Sequence, residues 1–242
     1  MRLGSPTYKY IEAIVNAIDL SIKVKSVTNP STGIYVLVTS CGIKWATKGF
    51  SVTIDGNNYS IQDIDSDAKT ITVKGSVALS GSFSFDLFSP QFYHGTVVSV
   101  DNDINDRISK GLKVWTKLPM IFLHESVDES YNYQPTEAIL KNSDVDLYFM
   151  SMYDPKDWPT NDHYKYAIEP MRRLIDEFNK SMELGRVVSY KNIDKFRVND
   201  YARWGARISA TGYEKKPFEG FSLSGCKVST TLPILRKNIC DC

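Results

Sequence analysis

The chain has 242 residues, with 29 Lys and Arg against 28 Asp and Glu and 42% hydrophobic residues. That length suits one large domain or two small ones, and the net charge of +1 argues against a nucleic-acid binder that relies on neutralising phosphates. There is no apolar run of about 18 residues and no apolar signal core in Met1–Tyr8, so neither a membrane span nor standard secretion is expected.

From Tyr8 to about Val24 the spacing predicts an opening helix. Tyr10, Ile11, Ile14, Val15, Ile18 and Ile22 share one face, and Lys9, Glu12, Asn16 and Asp19 take the other. The turn formers Thr28–Gly33 end it. Residues 34–39, 51–54, 59–64, 69–73, 82–87 and 96–100 then alternate with period two and predict six strands, with Asp55-Gly56 as a hairpin turn. Together they predict an all-β barrel or sandwich inserted over residues 29–100. Phe88–Gly95 reads as an aromatic loop joining the last two strands, with Phe92 and Tyr93 as contact residues.

Asp101–Arg107 has acidic spacing like a calcium loop, but Asp106 and Leu112 stand where Gly and Glu are required, so a short helix is expected. Leu118–Leu123 predicts a buried strand, and Glu125–Gln134 a projecting loop that carries Tyr131 and Tyr133. In Asp144–Tyr153, Val145, Leu147 and Phe149 alternate as in a strand. Tyr164, Ile168, Met171, Ile175, Phe178 and Met182 mark a helix from about Thr160, kinked but continuous at Pro170 and ended by Gly185. Phe196–Tyr201 and Phe221–Ile234 predict two further strands. Between them, residues 202–217 form a loop or arm whose Arg203, Trp204 and Arg207 are surface contacts.

The motifs that carry chemistry are missing from the sequence. It has no Gly-rich phosphate loop and no nucleophile elbow, and His94, His124 and His163 lie in separate segments without zinc spacing. His124-Glu125 has no identifiable nucleophile or metal partner. The four cysteines, Cys41, Cys226, Cys240 and Cys242, are too few for a disulfide scaffold, and Cys240-Asp-Cys242 lacks a second ligand pair. No catalytic, cofactor-binding or metal-ligating residue is therefore expected, and the protein is not expected to be an enzyme.

Leu118-Pro-Met-Ile-Phe-Leu123, Asp146-Leu-Tyr-Phe-Met150 and the helix Tyr164–Met182 resemble the neck proteins of tailed bacteriophages, the tail-terminator and head–tail connector class. The likeness extends over about 130 residues once 29–100 is set aside, and a crAss-like podovirus is the kind of phage it suggests. It implies an α+β fold: a small mixed or antiparallel sheet packed with helices (1–28 and 101–242, tail-terminator-like), carrying the inserted all-β domain. It also implies a virion structural protein that forms a ring connecting the portal and head to the tail, assembled in the bacterial host cytoplasm. The implied partners are copies of itself, roughly six or twelve in a closed ring, and adjacent portal, neck or tail proteins. DNA would pass through the lumen without sequence-specific binding, and no membrane is involved. Phe92, Tyr93, Tyr131, Tyr133, Arg172, Arg173, Arg203, Trp204 and Arg207 are the expected interface residues. Two other classes stand beside this one: a nucleic-acid-binding β-barrel module, and an enzyme with an unrecognised site.

Overall fold

The computed structural model describes residues 6–96, 99–100, 102, 119–132, 139–152, 160–185, 188–189, 193, 195–204 and 223–235. Helix α1 (Thr7–Asn16) buries Tyr10, Ile11, Ile14 and Val15, as the spacing predicts, but ends at Asn16. Strand β1 (Ser21–Ser31) follows, with Ile22 and Val24 buried between exposed Lys23 and Lys25. The apolar residues from Ile18 to Val24 fit both a helical and an alternating period. Pairing of β1 with two neighbouring strands decides for the strand.

The first sheet is antiparallel throughout, in the order β3-β4-β5-β2-β1-β6, with β2 (Ile34–Thr39), β3 (Ser51–Ile54), β4 (Asn57–Asp65), β5 (Thr70–Lys74) and β6 (Phe83–Asp86). Its two end strands, β3 and β6, approach within 8 Å between Cα atoms, so the sheet curls almost into a barrel. Leu37, Ile61, Ile71, Val73 and Trp45 fill it. At the β3–β4 hairpin Asp55 and Gly56 adopt φ of +49° and +78°, the pair of left-handed conformations that a two-residue turn requires.

Two expectations fail here. The strand expected over residues 96–100 is not formed by its described residues: Thr96 lies outside any strand, and Ser99 and Val100 are helical. Thr96 caps this helical turn, its hydroxyl accepting the Ser99 N–H at 3.0 Å and its carbonyl the Val100 N–H at 3.1 Å. Nor is Phe88–Gly95 only a loop. Gln91–Gly95 is strand β7, which leaves the barrel and runs parallel to β8 (Met120–His124) in the second sheet.

The second sheet has the order β11-β12-β10-β8-β7, with β10 (Ile139–Met152), β11 (Phe196–Trp204) and β12 (Leu223–Leu235). Strand β9 (Asp128–Tyr131) pairs with β10 beyond the end of β8, so this part of the segment expected to project instead lies in the sheet. Strands β8 and β9 form one line along β10, and two extra residues between them bend that line at Glu125–Val127. One hydrophobic core runs through both sheets and the helices. The architecture is α+β, mostly strand, with a barrel-like first sheet.

The long helix is continuous but not uniform. It passes from α2 (Thr160–His163) through a π-helical stretch, Tyr164–Ile168, into α3 (Glu169–Gly185). Pro170 explains the widened turn, since it has no N–H to offer the carbonyls one turn back. The carbonyl of Tyr166, four residues earlier, instead accepts the hydroxyl of buried Thr47 from the first sheet's β2–β3 connection. Further bonds fasten the same stretch to that sheet: Lys165 to Asp63 at 2.9 Å and the Tyr166 hydroxyl to Asp63 at 2.6 Å. Replacing Thr47 by Val leaves a buried carbonyl unsatisfied and is expected to cost about 2 kcal/mol in chemical denaturation. The cost should shrink in a Pro170→Ala background, where a restored N–H can serve that carbonyl. Equal costs in the two backgrounds would contradict this reading.

Candidate interaction surface on the second sheet

Alternation along β10 divides the second sheet into two faces. Val145, Leu147 and Phe149 point to the core, where Phe149 packs edge-on against Phe178 of α3 with ring centroids 5.5 Å apart. Cys226 of β12 lies on the same side, 3.3 Å from Asp200 and against the Ile168 carbonyl. Burial and the neighbouring Asp200 push its thiol up to about 12, so it is inert as a nucleophile at neutral pH.

On the opposite face Met150, Met120 and Phe122 are buried, and the end around Asp144 and Asp146 is polar. Bent by the β8–β9 irregularity, it forms a groove of about 570 Å³ lined by His124, Ser126, Asp128, Asp144, Asp146, Lys195, Arg197, Ser229 and Thr231, with edges of Val145 and Thr230. Its two sides differ in charge: three aspartates come from β9 and β10, and two cations from β11 and the residue before it. Thr231 donates to Asp144, and Ser229 donates to Asp146 at 2.5 Å. Partial burial opposes ionisation of Asp146, but the hydrogen bonds from Lys227 and Ser229 outweigh it and hold the carboxyl below its ordinary range. Lys227 reaches Asp146 at 2.7 Å and lies over the Tyr148 ring.

This arrangement offers charge and hydrogen-bonding groups for contact. The groove hydroxyls of Ser229 and Thr231 are tied to carboxylates, and His124 Nδ1 accepts the Ser126 N–H at 3.3 Å, so serine and imidazole are not paired as nucleophile and base. Among the described residues no group of three or more His, Cys, Asp or Glu is placed to hold a metal, and no helix is long and apolar enough to cross a membrane. No protein-family model and no curated protein matches the chain.

Those residues expected at interfaces that are described lie on separate elements. Phe92 and Tyr93 lie on β7, Phe92 partly buried against the core and Tyr93 buried. Tyr131 is half-buried on β9, its hydroxyl donating to Glu129 at 2.6 Å. On α3, Arg172 is exposed and makes a two-pronged pair with Asp200 at 2.8 and 3.0 Å. Arg173 turns inward, donating to the Lys44 carbonyl and, at 2.8 Å, to Ser66, so that it straps α3 to the first sheet. Arg203 and Trp204 belong to β11, while Tyr133 and Arg207 lie outside the described residues, as do Cys240 and Cys242. The groove was overlooked for a plain reason: in Asp144-Val-Asp-Leu-Tyr the apolar positions reveal the strand, but Asp144 and Asp146 mark its other face.

Proposed function

We propose that the protein is a virion structural subunit, a ring-forming connector in the neck or tail of a tailed bacteriophage, between portal and tail. The observation that carries this reading is the two-faced second sheet. One face is sealed by helices, and the other carries a polar groove of mixed charge in which Ser229 and Thr231 donate to Asp146 and Asp144. Such a surface serves recognition by contact. The barrel-like first sheet, strapped to the long helix through Thr47, Asp63 and Arg173, acts as a rigid second contact module rather than a swinging one. The sequence likeness to tail-terminator and connector proteins supplies the setting: a closed ring of identical subunits around the DNA path.

The reading is tested by protein mass spectrometry of purified phage particles. The chain is expected as a stoichiometric component at several copies per particle, retained through density-gradient purification. Its absence from complete particles would remove the proposal.

A further inference from the structure

We propose that the acidic side of the second-sheet groove is the ring contact itself, and that it receives the basic outer face of β1 from a second copy of this chain. The inference rests on the ring reading above and names its surfaces.

Two like charges stand together in the isolated subunit, without an ion pair to either among the described residues. Asp128 of β9 and Asp144 of β10 stand directly opposite each other in the ladder, and both are exposed. Like charges in directly opposed positions destabilise a sheet. Among the described residues neither carboxylate has an ion pair; Asp144 has only the Thr231 hydroxyl. Asp146, two residues along the same strand, is already paired with Lys227 of its own subunit at 2.7 Å. An incoming surface that brings cations to Asp128 and Asp144 relieves their repulsion.

The chain carries such a surface. Lys23 and Lys25 are exposed on β1, two residues apart on the outer side of the barrel-like sheet, while Ile22 and Val24 face its core. Neither lysine forms an ion pair among the described residues. The two surfaces are opposite in sign, and both lie on strands, so a sheet surface can enter an open groove. The patches differ and lie on different sheets, so the contact is heterologous. Repeated head to tail, it builds a ring when the rotation closes.

The test uses sedimentation velocity of the full chain at low salt, under reducing conditions. Wild type is expected to self-associate. Asp128→Lys/Asp144→Lys and Lys23→Asp/Lys25→Asp are each expected to weaken association at least about tenfold. An equimolar mixture of the two variants should recover it, because every groove then meets a strand of opposite charge. Asp128→Asn/Asp144→Asn, which relieves the repulsion without introducing new charge, should weaken association while unfolding no earlier than wild type. A monomeric wild type, association unchanged by the substitutions, or variants that stay apart on mixing would each overturn this contact. The ring reading would survive such a result, since it stands on the presence of the chain in the particle.

Discussion

Gly225→Ala is expected to be the most damaging single substitution in the second sheet. Gly225 lies in β12 between Met150 of β10 and Tyr201 of β11. A methyl group there would come 1.9 Å from the Phe149 carbonyl oxygen and 2.9 Å from the Met150 Cα, both backbone atoms of the neighbouring strand. No rotamer change relieves a clash with backbone, so β10 and β12 must separate beside the core residues Phe149 and Cys226. The expected cost is about 4 kcal/mol or more, a size confined to such mechanisms. That corresponds to a fall of roughly 10 °C in melting temperature for a chain of this length. Gly42→Ala is the control. Its φ of +95° strains an alanine, but nothing lies within 4 Å of the new methyl, and about 1 kcal/mol is expected. Similar losses for the two variants would show that the sheet can open at Gly225.

The second large effect is expected at Lys141. This residue continues the inward face of β10, where its side chain is fully buried, and its ammonium reaches Glu129 of β9 at 2.6 Å. The same ammonium lies over the rings of Tyr10 and Tyr131 at 5.7 and 5.5 Å. Glu129 also accepts hydrogen bonds from Thr7, at the start of α1, and from Tyr131. The cluster thus ties the opening helix to the second sheet.

Burial alone would raise the Glu129 carboxyl, but the hydrogen bonds from Lys141, Thr7 and Tyr131 and the Lys141 charge lower it to about 2 from an ordinary 4.5. Glu129→Gln removes the carboxylate charge that the buried Lys141 ammonium reaches at 2.6 Å and is expected to cost about 3 kcal/mol. The double variant Glu129→Gln/Lys141→Met removes both charges and should return to within about 1 kcal/mol of wild type. Because the folded carboxyl is depressed, its contribution is complete above pH 4.5 and is lost as pH falls towards 2. Wild type should therefore lose stability over that window, and the double variant should lose less. Parallel acid-unfolding curves would show that Glu129 is not the group responsible.

Much of the fold was legible where local chemistry and tertiary packing agree. The Asp55-Gly56 turn, the alternation through Ile34–Thr39 and Ser51–Ile54, and the apolar stripe on the long helix all appear where the residues place them. Misreadings arose where one run satisfies two periods or a residue has two uses. Ile18, Ile22 and Val24 fit helix and strand alike, and Thr96 is β-branched yet serves as a helix cap. Pro170 forecast a disturbance but not its form, because the π-helical turn depends on Thr47, far away in sequence, accepting the role of partner to Tyr166. The groove was legible only in part. The polar positions of β10 are plain in the sequence, but the opposition of Asp128 to Asp144 depends on two extra residues between β8 and β9, which no local pattern reveals. Arg173, with the look of a surface cation, is turned inward by partners more than a hundred positions away.

The central claim, a ring-forming neck or tail subunit, is tested most directly by a cryo-electron reconstruction of the phage particle. A ring of cyclic symmetry is expected around the DNA path below the portal. Each of its subunits should fit the two-sheet fold, with the groove of one copy against the barrel of the next. A complete neck and tail in which every ring is built by other chains would contradict it.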